Sequence, residues 1–311
     1  MPLLRAEAAK LSNNYLEAGI IEELVEKDEM FAYLPFQRVN SKALVYNRES
    51  ESDVSTAITA DTHVKFLDVN ETIPEAALPF VEVTAKLRIL AGDVDVDKFL
   101  IETMGDTNSQ LAAQLASKAK IIRSRIQYVM ARGDATASPL EFDGLPNLVS
   151  SAQTFAAGPN GATLDFDMLD ELKDMINYGA DAIIMHSKTW RYMKTMLRAL
   201  NIVPEHIALP EVGISIPVYD GTPIIRNDYI ATNEEKGSSG AVCTSVYAAR
   251  FNEDDGLHGL YGGSPDSSFI KVEEIGTLEQ KDSYRWRMKS YISACLKSTK
   301  SLARIEGVTL G

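Results

Sequence analysis

The sequence predicts an α+β fold in which a compact α+β unit is inserted into a sheet-bearing domain, with an apolar arm ahead of both. Three observations predict it. Residues 81–89 (VEVTAKLRI) alternate apolar and polar without a fault, the signature of a half-buried strand. Residues 284–289 (YRWRMK) repeat that period about 200 positions later, so the two segments are expected to share one sheet. Between them, from Thr107 to Arg132, Leu111, Leu115, Ile122, Ile126 and Val129 keep helical spacing. The chain thus leaves a domain after one strand and returns to it for the last.

Composition fits such a molecule. The chain has 311 residues, 45% hydrophobic and 24% charged, which excludes disordered, collagen-like and disulfide-scaffold classes. A fold of that size buries roughly three-quarters of its unfolded surface, so the core is not limiting. Cys243 and Cys295 form no CxxC pair and read as small hydrophobes in a reduced setting. No stretch approaches 18 consecutive apolar residues, so no transmembrane helix is expected. The net charge of −13 repels a phosphate backbone on average and argues against a free nucleic-acid binder.

The arm comes first. Asn14 and Glu17 have capping-box spacing, Leu16, Ile20, Leu24 and Val25 share one helical face, and Glu22, Glu23 and Glu26 take the other. Pro35 closes the arm after an apolar exit running from Met30 to Phe36. One helix cannot bury its own stripe. It needs a partner, in this chain or in a neighbour.

Residues 42–47 (KALVYN) and 63–66 (HVKF) read as the two strands of an excursion, with a polar stretch free of Pro and Gly between them. A two-stranded ribbon is marginal alone in water, so it must lie on something else. The helix at 107–132, roughly 39 Å long at 1.5 Å per residue, stops at Gly133-Asp134. Lys118, Lys120, Arg123, Arg125 and Arg132 make it the most basic element of an acidic chain. Two readings stay open: a face toward nucleic acid or an acidic neighbour, or a solvated face with local ion pairs.

From about 150 to 265 the texture changes. A small, polar linker at 151–161 precedes a helix capped by Asp165 and carrying Leu169, Leu172 and Ile176 to Gly179. A short strand at 182–185 leads to a helix from Lys188 to about Leu200, with Ser187 as its expected cap. Residues 214–219, Asp220-Gly221 and 223–225 read as a hairpin, and 241–251 as a further strand.

Chemistry is sparse. His63, His186, His206 and His258 show no metal-ligand spacing. Asp93, Asp95 and Asp97 open like a calcium loop, but Lys98 and Met104 occupy the positions that need Gly and Glu, so an acidic strand face or turn is expected. The stretch from Gly256 to Gly263 matches no phosphate-binding motif and reads as a flexible loop. There is no GxSxG. No catalytic, cofactor or metal residue is assigned. A small-molecule enzyme using His186, Asp181 or Asp228 in a cleft between two domains is the alternative from another class, without a motif behind it.

The order of parts resembles the HK97-fold major capsid proteins of tailed phages. Leu34-Pro35-Phe36 leading to Leu44-Val45-Tyr46-Asn47-Arg48-Glu49 is similar to that family's passage from arm to extended loop. Met130-Ala131-Arg132-Gly133-Asp134 and Phe142-Asp143-Gly144-Leu145 resemble the end of its spine helix and the loop beyond. Residues 181–190 (DAIIMHSKTW) are similar to its axial-domain strand and helix, and Gly221-Thr222-Pro223-Ile224-Ile225 and Ser301-Leu302-Ala303-Arg304-Ile305 complete the pattern. The resemblance covers nearly the whole chain. It implies an N-terminal arm at 1–38 and an extended β-hairpin loop at 39–76. It further implies a peripheral domain with the spine helix at 77–150 and 267–311, and an inserted axial domain at 151–266.

The implied function is mechanical: a non-enzymatic subunit that assembles with itself through hexamers and pentamers into an icosahedral shell around double-stranded DNA. The implied location is the virion, with host cytoplasm during assembly. Encapsulins, cargo compartments of the same fold, are the nearest rival. Expected inter-subunit contacts are Leu16, Ile20, Leu24, Phe31 and Phe36 in the arm and Tyr46, Arg48 and Glu49 in the ribbon. On the helix they are Lys120, Arg123 and Arg125. Because the arm begins at Met1, a separate scaffolding protein is expected, with a portal and room for a decoration protein. Packaged DNA is met only by proximity, and no membrane is involved. Some members weld subunits through a Lys of the loop and an Asn of the peripheral domain. Lys42 and Lys65 are available, but residues 271–311 hold no Asn, so no isopeptide bond is expected and boiling in SDS should release monomer.

Overall fold

The computed structural model describes residues 29–49, 63–77, 79–104, 110–202, 205–209, 214–238, 240, 242–263 and 269–309. The helix expected to carry Leu16, Ile20 and Leu24 lies outside them.

Two sheets carry the body. The first has five strands in the order β1 (Phe36–Val39), β13 (Leu257–Gly262), β15 (Ser283–Leu296) and β14 (Lys271–Thr277), with β4 (Arg88–Asp97) also on β15. The long strand β15 is its spine. β4 runs antiparallel along most of it, from Ser283 opposite Asp97 to Ile292 opposite Arg88. Asp93 and Asp95 face Arg287 and Arg285 in that register, each held by two hydrogen bonds of 2.7–2.9 Å. The Asp-Val-Asp-Val-Asp segment is therefore an acidic strand face, as expected. The Asp93 and Asp95 carboxyls sit below the ordinary carboxylate range because the arginine forks favour the charged form.

The second sheet has nine strands. Its path is β5 (Thr154–Ala156), β16 (Leu302–Thr309), β12 (Val242–Ala249), β7 (Ala182–Met185), β10 (Thr222–Arg226), β9 (Ile214–Tyr219) and β8 (Glu205–Leu209). β6 (Ala162–Thr163) pairs with β16, and β11 (Glu234–Glu235) with β12. The β9–β10 hairpin turns on Asp220 (φ 43°) and Gly221 (φ 76°), two consecutive left-handed residues as a tight hairpin requires. The helices Phe166–Asp174 and Ser187–Ala199 cover this sheet through Leu169, Leu172, Trp190, Met193 and Leu197. Asp165 caps the first, as its sequence position suggests. The second is capped by the His186 ring, whose Nδ1 accepts from the Lys188 amide, and not by Ser187.

The long helix Gln110–Arg132 joins the two sheets. Ile122, Ile126, Val129 and Met130 enter one core with Met288, Ile292 and Leu296 of β15 and Tyr247 of β12. Residues 107–109 lie outside the described part.

Four expectations are corrected. The alternating run 81–89 is two strands, not one: β3 (Phe80–Lys86) pairs with β2 (Ala43–Glu49), and only from Arg88 does the chain join β15. Residues 63–66 are not the return strand of the ribbon; β3 is. Alternation reports which face of a strand is buried and is blind to which edge it pairs with, so both errors share one cause. The stretch from Gly256 to Gly263 is not a loop. It contains β13, a strand rich in glycine because Phe36 lies against Gly259, where a Cβ would sit 2.2 Å from the ring. Finally, β16 pairs in the nine-stranded sheet and β13 in the five-stranded one, so each crosses the sequence boundary drawn between 151–266 and 267–311.

Candidate assembly surfaces

The arm exit is welded to the body. In the short helix Glu29–Tyr33, Glu29 is 3% exposed and its carboxylate binds the Arg226 guanidinium and accepts from the Arg226 amide at 2.9 Å. Met30 and Leu34 are buried in the central core. β1 then runs parallel to β13, Phe36 opposite Gly259, and the Phe36 ring meets Phe269 edge-on at 5.0 Å. Phe36 is thus half-buried against its own chain. Phe31 lies in the short helix, while Leu16, Ile20 and Leu24 are not described. Sequence reasoning missed Glu29. An acidic residue immediately before an apolar exit carries no periodic signal.

The ribbon of β2 and β3 is a two-stranded sheet of its own. Its foot is packed: Leu44, Tyr46, Ala85 and Leu87 rest on Val39, Leu260 and Cys295. Tyr46 donates its hydroxyl to the Leu296 carbonyl at 2.7 Å, and burial raises its phenol above the ordinary range. Away from the foot the pairing continues through Arg48 opposite Val81 and Glu49 opposite Phe80. Arg48 is half-buried and Glu49 exposed. The apolar side chains beyond it have no cover among the described residues. Phe66 is fully exposed, Val69 and Val64 are about four-fifths exposed, and Ile73 and Phe80 about two-thirds or more. Single exposed hydrophobes need no explanation, but a run of them within one stretch, 64–80, does.

The basic helix face divides. Arg125 pairs with Glu141 and lies 5.0 Å over Tyr128, and Arg132 donates to the Tyr229 and Ile230 carbonyls. Lys120 is half-buried, and Arg123 is exposed with no partner among the described residues. Local pairing therefore accounts for part of the stripe, and Arg123 keeps its charge outward.

Residues of the enzyme alternative do structural work. Asp181 accepts from the Phe251 amide at 2.8 Å and Asp228 from the Ser187 amide at 3.2 Å. His186 is occupied by its capping bond, with burial holding its pKa below the ordinary value despite Asp228 at 3.8 Å. Among the described residues no group of His, Cys, Asp or Glu has the arrangement of a metal site, and no helix is long and apolar enough to cross a membrane.

No family model and no curated protein matches the chain. Solved structures do, along its whole length. The SrpI encapsulin of Synechococcus elongatus PCC 7942, solved as the holo complex, is similar at a TM-score of 0.74 and 16% identity, covering 100% of this chain and 97% of that one. The capsid of the native GTA particle gives 0.65 at 12% identity, covering 98% of each chain. The capsid of cyanophage A-1(L) gives 0.65 at 11%, covering 99% and 100%. The fold is the HK97 capsid fold.

Proposed function

We propose that this chain is a structural shell subunit, many copies of which tile through hexamers and pentamers into a closed icosahedral particle around double-stranded DNA. One observation carries the reading: the segment that links β2 to β3 exposes Phe66, Val64, Val69 and Ile73, and nothing in the same chain covers them among the described residues. Symmetric tiling repeats one modest contact many times, so each interface can be weak and the shell stable. The likeness to capsids and an encapsulin supports this, as does the structural use of Asp181, His186 and Asp228. The arm's Leu16, Ile20 and Leu24 would bind adjacent subunits, with Arg48, Glu49 and Arg123 at polar edges. A separate scaffolding protein and a portal belong to the same reading.

A cargo compartment is the second reading, favoured by the similarity to the SrpI encapsulin. Size exclusion and negative-stain microscopy test the shell, with capsomers or closed particles expected. A small oligomer at high concentration would sink it. Particle contents then separate the readings, since nuclease-protected DNA marks a capsid and a co-purifying protein marks a compartment.

A further inference from the structure

We propose that the cavity at the foot of the ribbon is an oxyanion site, with Arg88 as its main donor and Lys86 as its second cation. The cavity has a volume of about 290 Å³, and its walls include Tyr46, Lys86, Arg88, Asp143, Ser293 and Cys295. Arg88 points to the ligand. Its Nε is shut off from solvent and donates to nothing among the described residues, and no carboxylate there pairs with the guanidinium. Arg88 as a whole is half-buried, and a guanidinium with no carboxylate partner is complementary to a carboxylate or phosphate, which the terminal nitrogens of its planar fork can grip through two bonds.

Three of the other polar walls are already committed. Tyr46 donates to Leu296 O, Ser293 to Ala294 O at 3.4 Å, and Asp143 accepts from the Ala135 amide at 2.9 Å. Asp143 keeps part of its negative charge in the wall, but two cations oppose it. The place of those cations gives the site a consequence. Lys86 is the last residue of the ribbon and Arg88 the first of β4, with Leu87 between them held to the Lys42 carbonyl at 3.1 Å. An oxyanion gripped by both ties the ribbon to the body and fixes the angle between the two.

The oxyanion has two sources, a free anion or an Asp or Glu side chain of a second copy; only the latter rests on the shell reading. Unassembled protein is melted in sodium phosphate and in sodium chloride of equal ionic strength. A free-anion site gives a midpoint about 2 °C higher in phosphate, a shift reduced in Lys86→Gln and absent in Arg88→Gln. A neighbour's carboxylate gives no phosphate shift, but natively folded Arg88→Gln then assembles at least about ten-fold less than wild type, with Arg88→Lys recovering part. If Arg88→Gln fails to fold, Lys86→Gln, at an exposed position, carries both readouts. A phosphate shift that persists in the variants, or equal midpoints with normal assembly, overturns the proposal. Should wild type never assemble, the shell reading fails, while the phosphate arm still decides this one.

Discussion

The Glu29 carboxylate reaches across 197 positions of sequence to accept the backbone amide of Arg226 at 2.9 Å while binding the same residue's guanidinium. One buried side chain thus ties the end of β10 to the start of the short helix Glu29–Tyr33. Glu29→Ala strands a buried amide and is expected to cost about 1–3 kcal/mol. Hydrogen exchange should rise first at residues 29–39. Unchanged protection there would show that the anchor is elsewhere.

Phe36 and Gly259 form a second anchor whose shape is testable. Adding a methyl at 259 places it inside the Phe36 ring, so Gly259→Ala should cost about 1–3 kcal/mol, typical of an overpacked site. In Gly259→Ala/Phe36→Ala the two losses should be less than additive, because the cavity of one accepts the methyl of the other. Strict additivity in urea melts would contradict the contact.

The exposed apolar run should matter only between copies. Phe66→Ser with Val69→Ser is expected to leave the stability of the unassembled chain within about 0.5 kcal/mol, since neither side chain is buried in it. Particle yield by negative stain should fall at least about ten-fold, as for truncated interface anchors. Normal particles would refute a role for this segment.

Acid should loosen the fold in two stages. Burial holds the His186 and His258 imidazoles below their ordinary value, against Asp228 beside the first and Glu253 beside the second. The folded state therefore binds fewer protons than the unfolded chain just below about pH 6.5, so stability is full above that and declines as pH falls through the folded values. His258 is fully buried with Nδ1 on the Gly256 carbonyl and no acceptor for Nε2 among the described residues, so charging it is opposed by the whole strand. The second stage comes below about pH 4, where Asp93 and Asp95 take up protons and release Arg287 and Arg285. Urea midpoints at pH 7.5, 5.5 and 3 should fall in that order, and His258→Gln should flatten the first step. A midpoint higher at pH 5.5 than at 7.5 would refute the first stage.

The amino-acid order alone determined the long helix, the face it buries and several caps and turns, because those properties are local. The stripe from Leu111 to Val129, the Asp165 cap and the Asp220-Gly221 turn are each settled by residues within a few positions. Partner choice is not local. Only the folded chain decided that Val83 lies beside Tyr46 and not beside β15, that Gly259 makes room for Phe36, and that Glu29 meets Arg226. Those pairings depend on shape and charge brought together over tens to hundreds of residues, far beyond the few positions that set a helix or a turn.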